Sequence, residues 1–199
     1  MSYPAPFGID LGESRPQELW RKAAALPKDV RWHLVGHLQS NKAAKAARFF
    51  RSVDSVDDFA LAQRLDRVRI ELGESRKLRV LIEVRIAPEE SKSGVARDLL
   101  VPLAEQISTL NGLELQGLMC IPPFLDDLEK VRAYFSELRA LREDVERRLG
   151  KKLPVLSMGM SHDFEVAIEE GATEVRVGTA LFGTRPLPSD ATGEAPGAI

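Results

Sequence analysis

Seven short β-rich runs alternate with helical stretches along most of the 199-residue chain. This alternation is the pattern that builds parallel sheets through βαβ crossovers. The longest helical stretch runs from Leu128 to Leu149 and carries its apolar residues on one stripe. Successive runs start at intervals of about 27 residues, which is one βα unit. The runs begin near Gly8, Trp32, Phe50, Arg79, Leu113, Leu153 and Thr173.

Seven βα units fit either an open doubly wound sheet or a (β/α)8 barrel that lacks one unit. A doubly wound nucleotide-binding fold usually has a glycine-rich phosphate loop after its first strand, but the sequence there is LGESRP. The last two strands run into SMGMS and RVGTALFG, and barrels commonly bind phosphate at that position. The sequence therefore predicts a single α/β domain over residues 1–185, a TIM-type barrel with seven of its eight units present.

The composition excludes several classes of function. With 28 basic and 30 acidic side chains, the chain has no basic excess for binding nucleic acid. It contains no apolar run of the roughly 20 residues that a membrane span needs, and its first residues do not resemble a secretory signal. We therefore expect a cytoplasmic protein. Residues 186–199, rich in Pro, Gly, Ala and Ser, are predicted to be a disordered tail.

The last strand, from Thr173 onwards, ends in a sequence suited to binding an anion. Strand alternation places Glu174, Arg176 and Gly178 toward the barrel axis. Gly178 allows close backbone approach, Thr179 adds a hydroxyl, and the following turn offers free N–H groups. The alternative interpretation is a strand followed by a glycine turn and a helix cap.

The preceding junction places two hydroxyls, those of Ser157 and Ser161, around a glycine and directly before a predicted helix. Ser161 is expected to be the N-cap of that helix. Ser157 should lie at a strand end and face the barrel mouth, where a polar side chain indicates a polar ligand. Two adjacent junctions with the same chemistry suggest one phosphate shared between them.

Arg176 faces the barrel axis, where a buried charge needs a partner. One interpretation is an internal salt bridge with Glu174 or Glu83. The other is contact with a ligand at the barrel mouth, and both can hold at once.

The histidines and the single cysteine do not indicate a metal site. His33, His37 and His162 do not follow a metal-binding spacing such as HExxH, and one cysteine excludes a multi-cysteine site and an internal disulfide. His162 is expected to be exposed. Cys120 is expected to be a small buried apolar side chain and not a nucleophile.

Several segments together resemble the pyridoxal-phosphate homeostasis protein family, whose barrel is of the alanine-racemase N-terminal type. The resemblance covers nearly the whole chain before the tail. The matching segments are FGIDLGESRPQEL (7–19), WHLVGHLQSNK (32–42), SKSG (91–94), LELQGLMCIPP (113–123) and LSMGMSHDFEVAIEEGATEVRVGTALFG (156–183).

The resemblance implies a non-enzymatic protein that holds pyridoxal 5′-phosphate (PLP) at the barrel mouth and buffers or delivers it. It implies that Met160 borders the cofactor ring and that Arg176 faces the pyridine nitrogen. An arginine there keeps that nitrogen unprotonated, which weakens the cofactor as an electron sink. Apo-PLP enzymes are possible partners, and the protein is expected to be a monomer. The cofactor-binding set implied in this way is Ser14, His37, Ser157, Met160, Ser161, Arg176, Gly178 and Thr179.

The chain departs from the family pattern in two places. The family motif GEN reads GES here, so that Ser14 replaces an amide near the ring. The family also has an earlier strand of the type VAVSK, whose lysine forms the Schiff base, and only seven residues precede the Gly8 strand. Nine lysines occur elsewhere, of which Lys42 is the least implausible substitute. We therefore expect weak, non-covalent PLP binding.

Two alternative functions remain on the sequence alone. A PLP-dependent racemase needs a second domain and a catalytic tyrosine, whereas the two tyrosines are Tyr3 at the terminus and Tyr134 in a predicted helix. A phosphosugar isomerase or aldolase would use the phosphate site but needs an acid or base at the strand ends. Glu13 and His37 are the only candidates for that role.

Overall fold

The computed structural model describes residues 9–22, 25, 29–87 and 93–183. Seven strands pair in parallel into one sheet in the order β1 to β7. The strands are β1 Asp10–Glu13, β2 Arg31–Leu34, β3 Ser52–Val56, β4 Leu78–Glu83, β5 Leu113–Met119, β6 Val155–Met160 and β7 Glu174–Arg176. All seven predicted strands are confirmed within two residues of their expected starts. The predicted tail lies outside the described residues.

Helices follow each strand on the outside of the sheet. A short 3-10 turn, Ser40–Lys42, precedes the second helix. The helices are α1 Pro16–Lys22, α2 Ala43–Phe49, α3 Phe59–Glu71, α4 Arg97–Ser108, α5 Leu128–Leu149, α6 Phe164–Glu169 and α7 Thr179–Phe182. The predicted bounds of α5 are confirmed. No helix among the described residues combines the length and the apolar character needed to cross a membrane.

The sheet curves into a nearly closed barrel with two separate apolar regions. The larger one lies between the sheet and the helices and contains most of the fully buried side chains, such as Phe135 and Leu34. Leu81, Met119 and Val155 form a second cluster inside the barrel. Because side chains alternate along a strand, residues two positions from these three also face the lumen. Among the described residues, no strand pairing joins β7 to β1.

The part of the lumen near the amino ends of the strands, which we call the lower lumen, contains a cluster of charged side chains that pair with one another. His33 Nε2 lies 3.0 Å from Asp10 Oδ1, and its Nδ1 lies 3.3 Å from Asp54 Oδ2. Glu174 of β7 pairs with Arg79 of β4 across the lumen. The His33 contacts join β2 to its neighbours β1 and β3, whereas the Arg79–Glu174 pair joins strands that are not neighbours in the sheet. With Arg31, which pairs with Asp10, we call this set the lumen cluster: Asp10, Arg31, His33, Asp54, Arg79 and Glu174.

The lumen cluster favours a protonated His33. Its three carboxylates face only two guanidinium groups, so a charged imidazole balances the set. Burial by itself lowers the pKa of His33, but the hydrogen bond and charge of Asp54, the hydrogen bond of Asp10 and the charge of Glu174 outweigh it and raise the pKa above 6.5. Ligand atoms of His33, Asp54 and Glu174 lie within 4.8 Å of one another, yet the paired charges of the cluster account for that proximity.

The His33→Gln variant should lose a pH-dependent contribution to stability. Because the pKa of His33 is raised in the folded state, its contribution is complete below the unfolded value of about 6.5 and is lost as pH rises through the folded value. The free energy of unfolding of the wild type should therefore fall as the pH rises above about 6.5, more steeply than that of the variant. Urea unfolding followed by circular dichroism measures both curves. His162→Gln, which removes an exposed imidazole, is the matched control, and parallel curves for wild type and His33→Gln would contradict the prediction.

Candidate functional site

The carboxyl ends of the parallel strands meet at one rim of the barrel, and most predicted site residues lie there. Register pairing aligns Ser157 of β6 with Glu174 of β7, and Met160 with Arg176. A bulge between these two pairs changes the register of β6 against β7. Ser157 is fully buried and Met160 partly buried. The structure therefore brings Ser157, Met160 and Arg176 together.

Arg176 is held by two oxygen acceptors inside the barrel. Its Nη1 donates to Ser157 Oγ at 2.8 Å, and its Nη2 donates to the carbonyl oxygen of Cys120 at 2.7 Å. Burial lowers the pKa of the guanidinium, although nearby carboxylates oppose the shift. The predicted salt bridge with Glu174 or Glu83 is not what fixes the side chain, since Glu174 pairs with Arg79. Two hydrogen bonds to neutral oxygens hold Arg176, and no carboxylate in the described part of the chain bonds directly to its guanidinium.

Ser161 does not cap the next helix, which corrects the expectation from its position. Helix α6 begins at Phe164, and Asp163 occupies the N-cap position. Ser161 Oγ instead accepts hydrogen bonds from the backbone N–H groups of Gly178 at 3.1 Å and Ala180 at 3.2 Å. Tertiary pairing of the β6 and β7 loops therefore outweighs the local capping preference. Two amides at the start of α7 converge on one oxygen.

Space is available next to these amides. A Cβ atom built on Gly178 would have no atom within 4 Å. Gly178 and Thr179 are exposed, and Thr179 is the first residue of α7. First-turn amides of a helix have no acceptor within the helix, and those of Gly178 and Ala180 point at Ser161 Oγ, so an anion beside this hydroxyl could share them. The arrangement offers backbone N–H groups and hydroxyls next to open space, which suits a phosphate group.

Asp163 organises the turn between β6 and α6, and the sequence analysis did not identify it. Its Oδ1 accepts from the Met160 N–H at 2.6 Å, and its own N–H donates to the Met160 carbonyl at 3.1 Å. Asp163 is buried. An aspartate that hydrogen-bonds the nearby backbone is a common turn signal. This signal was present in the sequence but was attributed to the start of the helix.

Ser14 and His37 lie on the same rim but belong to other strands. Ser14 follows β1 and His37 follows β2, and both are exposed. The backbone of Ser14 contacts Gly36, where a Cβ atom would come within 2.3 Å of the Ser14 carbonyl oxygen. His37 Nδ1 lies 3.7 Å from Asp57 Oδ2. Within the described residues, no hydrogen bond joins Ser14 or His37 to Ser161 or Arg176.

Cys120 is not poised to act as a nucleophile. It is fully buried directly after β5, and burial raises the pKa of its thiol to about 12. Its contribution to the site is the backbone carbonyl that accepts from Arg176. His162 is exposed, as expected, and its ring packs against Phe124 with 4.5 Å between ring centroids.

Comparison with known proteins agrees with this geometry. The family model described as alanine racemase, N-terminal domain, matches residues 10–186. The pyridoxal phosphate homeostasis protein of Aquifex aeolicus is 45% identical over 175 residues, which is 87% of this chain and 76% of that protein. The protein of the same name from Pseudomonas aeruginosa is 44% identical over 184 residues, covering 92% of this chain and 77% of the relative. The chain belongs to the pyridoxal phosphate homeostasis protein family.

Solved structures support the family assignment. The PipY protein of Synechococcus elongatus with PLP bound superimposes with a TM-score of 0.79 at 41% identity, covering 86% of this chain and 80% of PipY. The same protein without PLP gives a TM-score of 0.80. An alanine racemase from Clostridium difficile has a TM-score of 0.71 at 16% identity and covers 90% of this chain and 46% of the racemase. That last similarity shows a shared fold alone.

Removing the Asp163 carboxylate should destabilise the β6–α6 turn. Asp163→Ala leaves the Met160 N–H without its acceptor, which should lower the free energy of unfolding by about 1–3 kcal/mol. Asp163→Asn keeps an oxygen acceptor at this position and should lose less. Urea unfolding compares the variants, with Asp126→Ala, at an exposed position, as the control. The assignment fails if Asp163→Ala unfolds at the same urea concentration as the wild type.

Proposed function

We propose that this chain binds PLP at the rim formed by the ends of β6 and β7 and takes part in PLP homeostasis. The observation that carries the proposal is the convergence of the Gly178 and Ala180 amides on Ser161 Oγ, at the end of the strand that carries Arg176, whose partly buried cation is held by Ser157. A phosphate oxygen beside Ser161 Oγ would accept from this hydroxyl and share the same two amides. The PLP-bound structure of the PipY relative and the names of the homologues support the same ligand.

The residues at the rim fit the separate parts of the cofactor. Ser157, Ser161, Gly178 and Thr179 would hold the phosphate, because they offer hydroxyl and amide donors beside open space. Met160 at the end of β6 would border the ring. When bound, PLP supplies an aldehyde that reacts with amines and a ring that accepts electrons. Ser14 and His37 would complete the set from the ends of β1 and β2.

Arg176 favours binding over catalysis. A guanidinium that faces the ring nitrogen donates to it and keeps it unprotonated, so the ring accepts electrons poorly. Ser157 and the Cys120 carbonyl hold Arg176 in place, which keeps this donor oriented. We therefore propose that the protein carries PLP without turnover of its own and delivers it to apo-PLP enzymes as a monomer.

The lysines with described contacts are engaged away from the β6–β7 rim. Lys45 Nζ lies 3.8 Å from the centroid of the Trp20 ring, and Lys151 Nζ donates to the Leu115 carbonyl. Lys152 pairs with Glu146. Lys130 pairs with Asp127 at the start of α5. Lys42 lies in the 3-10 turn that follows β2. Within the part of the chain that the structure describes, these lysine positions support reversible, non-covalent binding of PLP.

Ser161→Ala should weaken the binding of PLP selectively through its phosphate. Loss of the hydroxyl removes a hydrogen bond to a charged group, which corresponds to about a tenfold higher Kd. The Kd of pyridoxal, which has the same ring without the phosphate, should not change. Equilibrium dialysis measures both constants, and Ser75→Ala, an exposed serine in a turn, is the control. Equal Kd values for wild type and Ser161→Ala would remove Ser161 from the phosphate site.

Bound PLP should leave no stable lysine adduct in this chain. Because the described lysine contacts lie away from the proposed site, borohydride treatment of the complex should not fix PLP on any lysine in a stoichiometric amount. Intact-mass measurement after reduction detects such an adduct, and peptide mapping locates it. A stoichiometric adduct on one lysine would contradict the prediction and identify the anchoring residue.

A further inference from the structure

A buried carboxyl group inside the barrel mouth has one oxygen with no partner. Glu83, the last residue of β4, is 4% exposed. Its Oε1 accepts from Ser93 Oγ at 2.7 Å, whereas its Oε2 is shielded from solvent and has no hydrogen-bond partner among the residues that the structure describes. An unsatisfied buried oxygen destabilises a protein, so it is a candidate for an interaction that forms only when a ligand is present.

Strand register places Glu83 in the lumen at the level of the proposed ligand site. Glu83 aligns with Met119 of β5, and Met119 aligns with Ser157 of β6. Met119 belongs to the apolar cluster inside the barrel, so its aligned neighbours face the lumen too. Glu83 and Ser157 are two strand spacings apart, roughly 10 Å. A ring with a phosphate arm can bridge that distance.

The backbone around Glu83 keeps the carboxyl group in this position. The Val95 N–H donates to the Glu83 carbonyl at 2.8 Å, and the Arg85 N–H donates to the Val95 carbonyl at 3.0 Å. These two bonds hold Ser93 next to Glu83. Gly94 makes the approach possible, because its φ is +110° and a Cβ atom there would lie 2.7 Å from the Arg85 nitrogen.

Glu83 is disposed to be a neutral acid. Burial raises its pKa, the Ser93 hydrogen bond lowers it, the charge of Asp57 raises it, and the charges of Arg176 and His37 lower it, with a net increase above 4.5. Cys120, whose thiol is close enough to feel the charge of Glu83, is itself held neutral by burial. Since Oε1 accepts from Ser93, the proton belongs on Oε2. The protein then presents an O–H donor to the lumen.

We propose that Glu83 is a further ligand-binding residue, which donates a hydrogen bond from Oε2 to the ionised 3-hydroxyl oxygen on the ring of PLP. The proposal rests on the proposed function. The phosphate and the ring nitrogen already have donors in Ser161 and Arg176. The ring oxygen is the remaining anionic acceptor, and a neutral acid can bind it where a carboxylate would repel it.

Two variants of Glu83 test this role. Glu83→Gln keeps a neutral donor of the same size, so it should bind PLP like the wild type at the acid end of the pH range, where Glu83 is protonated. Glu83→Met removes the donor and should raise the Kd about tenfold at that pH. As pH rises through the raised pKa of Glu83, the wild type should lose affinity relative to Glu83→Gln, because Glu83 ionises. Because PLP itself titrates equally in both measurements, the ratio of the wild-type Kd to the Glu83→Gln Kd reports the titration of Glu83 alone.

A ligand without the ring hydroxyl tests the same hydrogen bond by removing its acceptor from the ligand. The Kd of 3-deoxypyridoxal 5′-phosphate should be the same for wild type and Glu83→Met, as in a double-mutant cycle. The absorbance of bound PLP should also show that its ring oxygen protonates at a higher pH in Glu83→Met than in the wild type. Glu114→Gln, at an exposed position on β5, is the control for a general change in charge.

The outcomes separate the two proposals. If PLP binds more tightly than pyridoxal but Glu83→Met does not change its Kd, the role of Glu83 is wrong and the proposed function stands. The same holds if the ratio of wild type to Glu83→Gln is constant with pH. If the wild type binds neither PLP nor its deoxy analogue, the proposed function is wrong and the role of Glu83 with it.

Discussion

Charged side chains inside the barrel need partners there, and this requirement organises the structure around its lumen. A buried charge without a partner costs several kcal/mol, roughly as much as a small domain has in total stability. The lumen cluster meets the requirement by joining β2, β3, β4 and β7 through His33, Asp54, Arg79 and Glu174. The pairs across the lumen fix the curvature of the sheet, because they require strands that are not neighbours to face one another.

Arg176 meets the same requirement in a different way, and this difference is the basis of the site. Two neutral oxygens, Ser157 Oγ and the Cys120 carbonyl, orient its guanidinium without neutralising it. In the lower lumen, the positive and negative charges of the lumen cluster balance one another. Nearer the mouth, the charge of Arg176 is available to an anionic ligand. Backbone amides at the start of α7 add donors at the rim. A phosphorylated ring is therefore favoured at the mouth and not in the lower lumen.

Much of the fold and part of the site could be predicted from the sequence, because both depend on regular patterns of apolar and polar residues. Period-two and helical patterns gave seven strands and the bounds of α5, and the alternation in the last strand placed Glu174 and Arg176 in the lumen. The cap assigned to Ser161 was wrong, since a hydroxyl at a loop can bind any nearby amide and the sequence does not say which is near. Asp163 was missed as a turn residue because its signal overlapped with that of a helix start.

The sequence by itself determined the parallel βα architecture, the chemistry at the ends of the last two strands and the resemblance to the family. These features depend on local periodicity and short motifs, which can be recognised without knowing which distant residues are in contact. Only the tertiary structure decided that Ser161 binds the amides of α7, that Arg176 binds the Cys120 carbonyl, and that Glu83 keeps an unpaired oxygen. Each of these depends on strand register and barrel curvature, which bring together groups that are far apart along the chain.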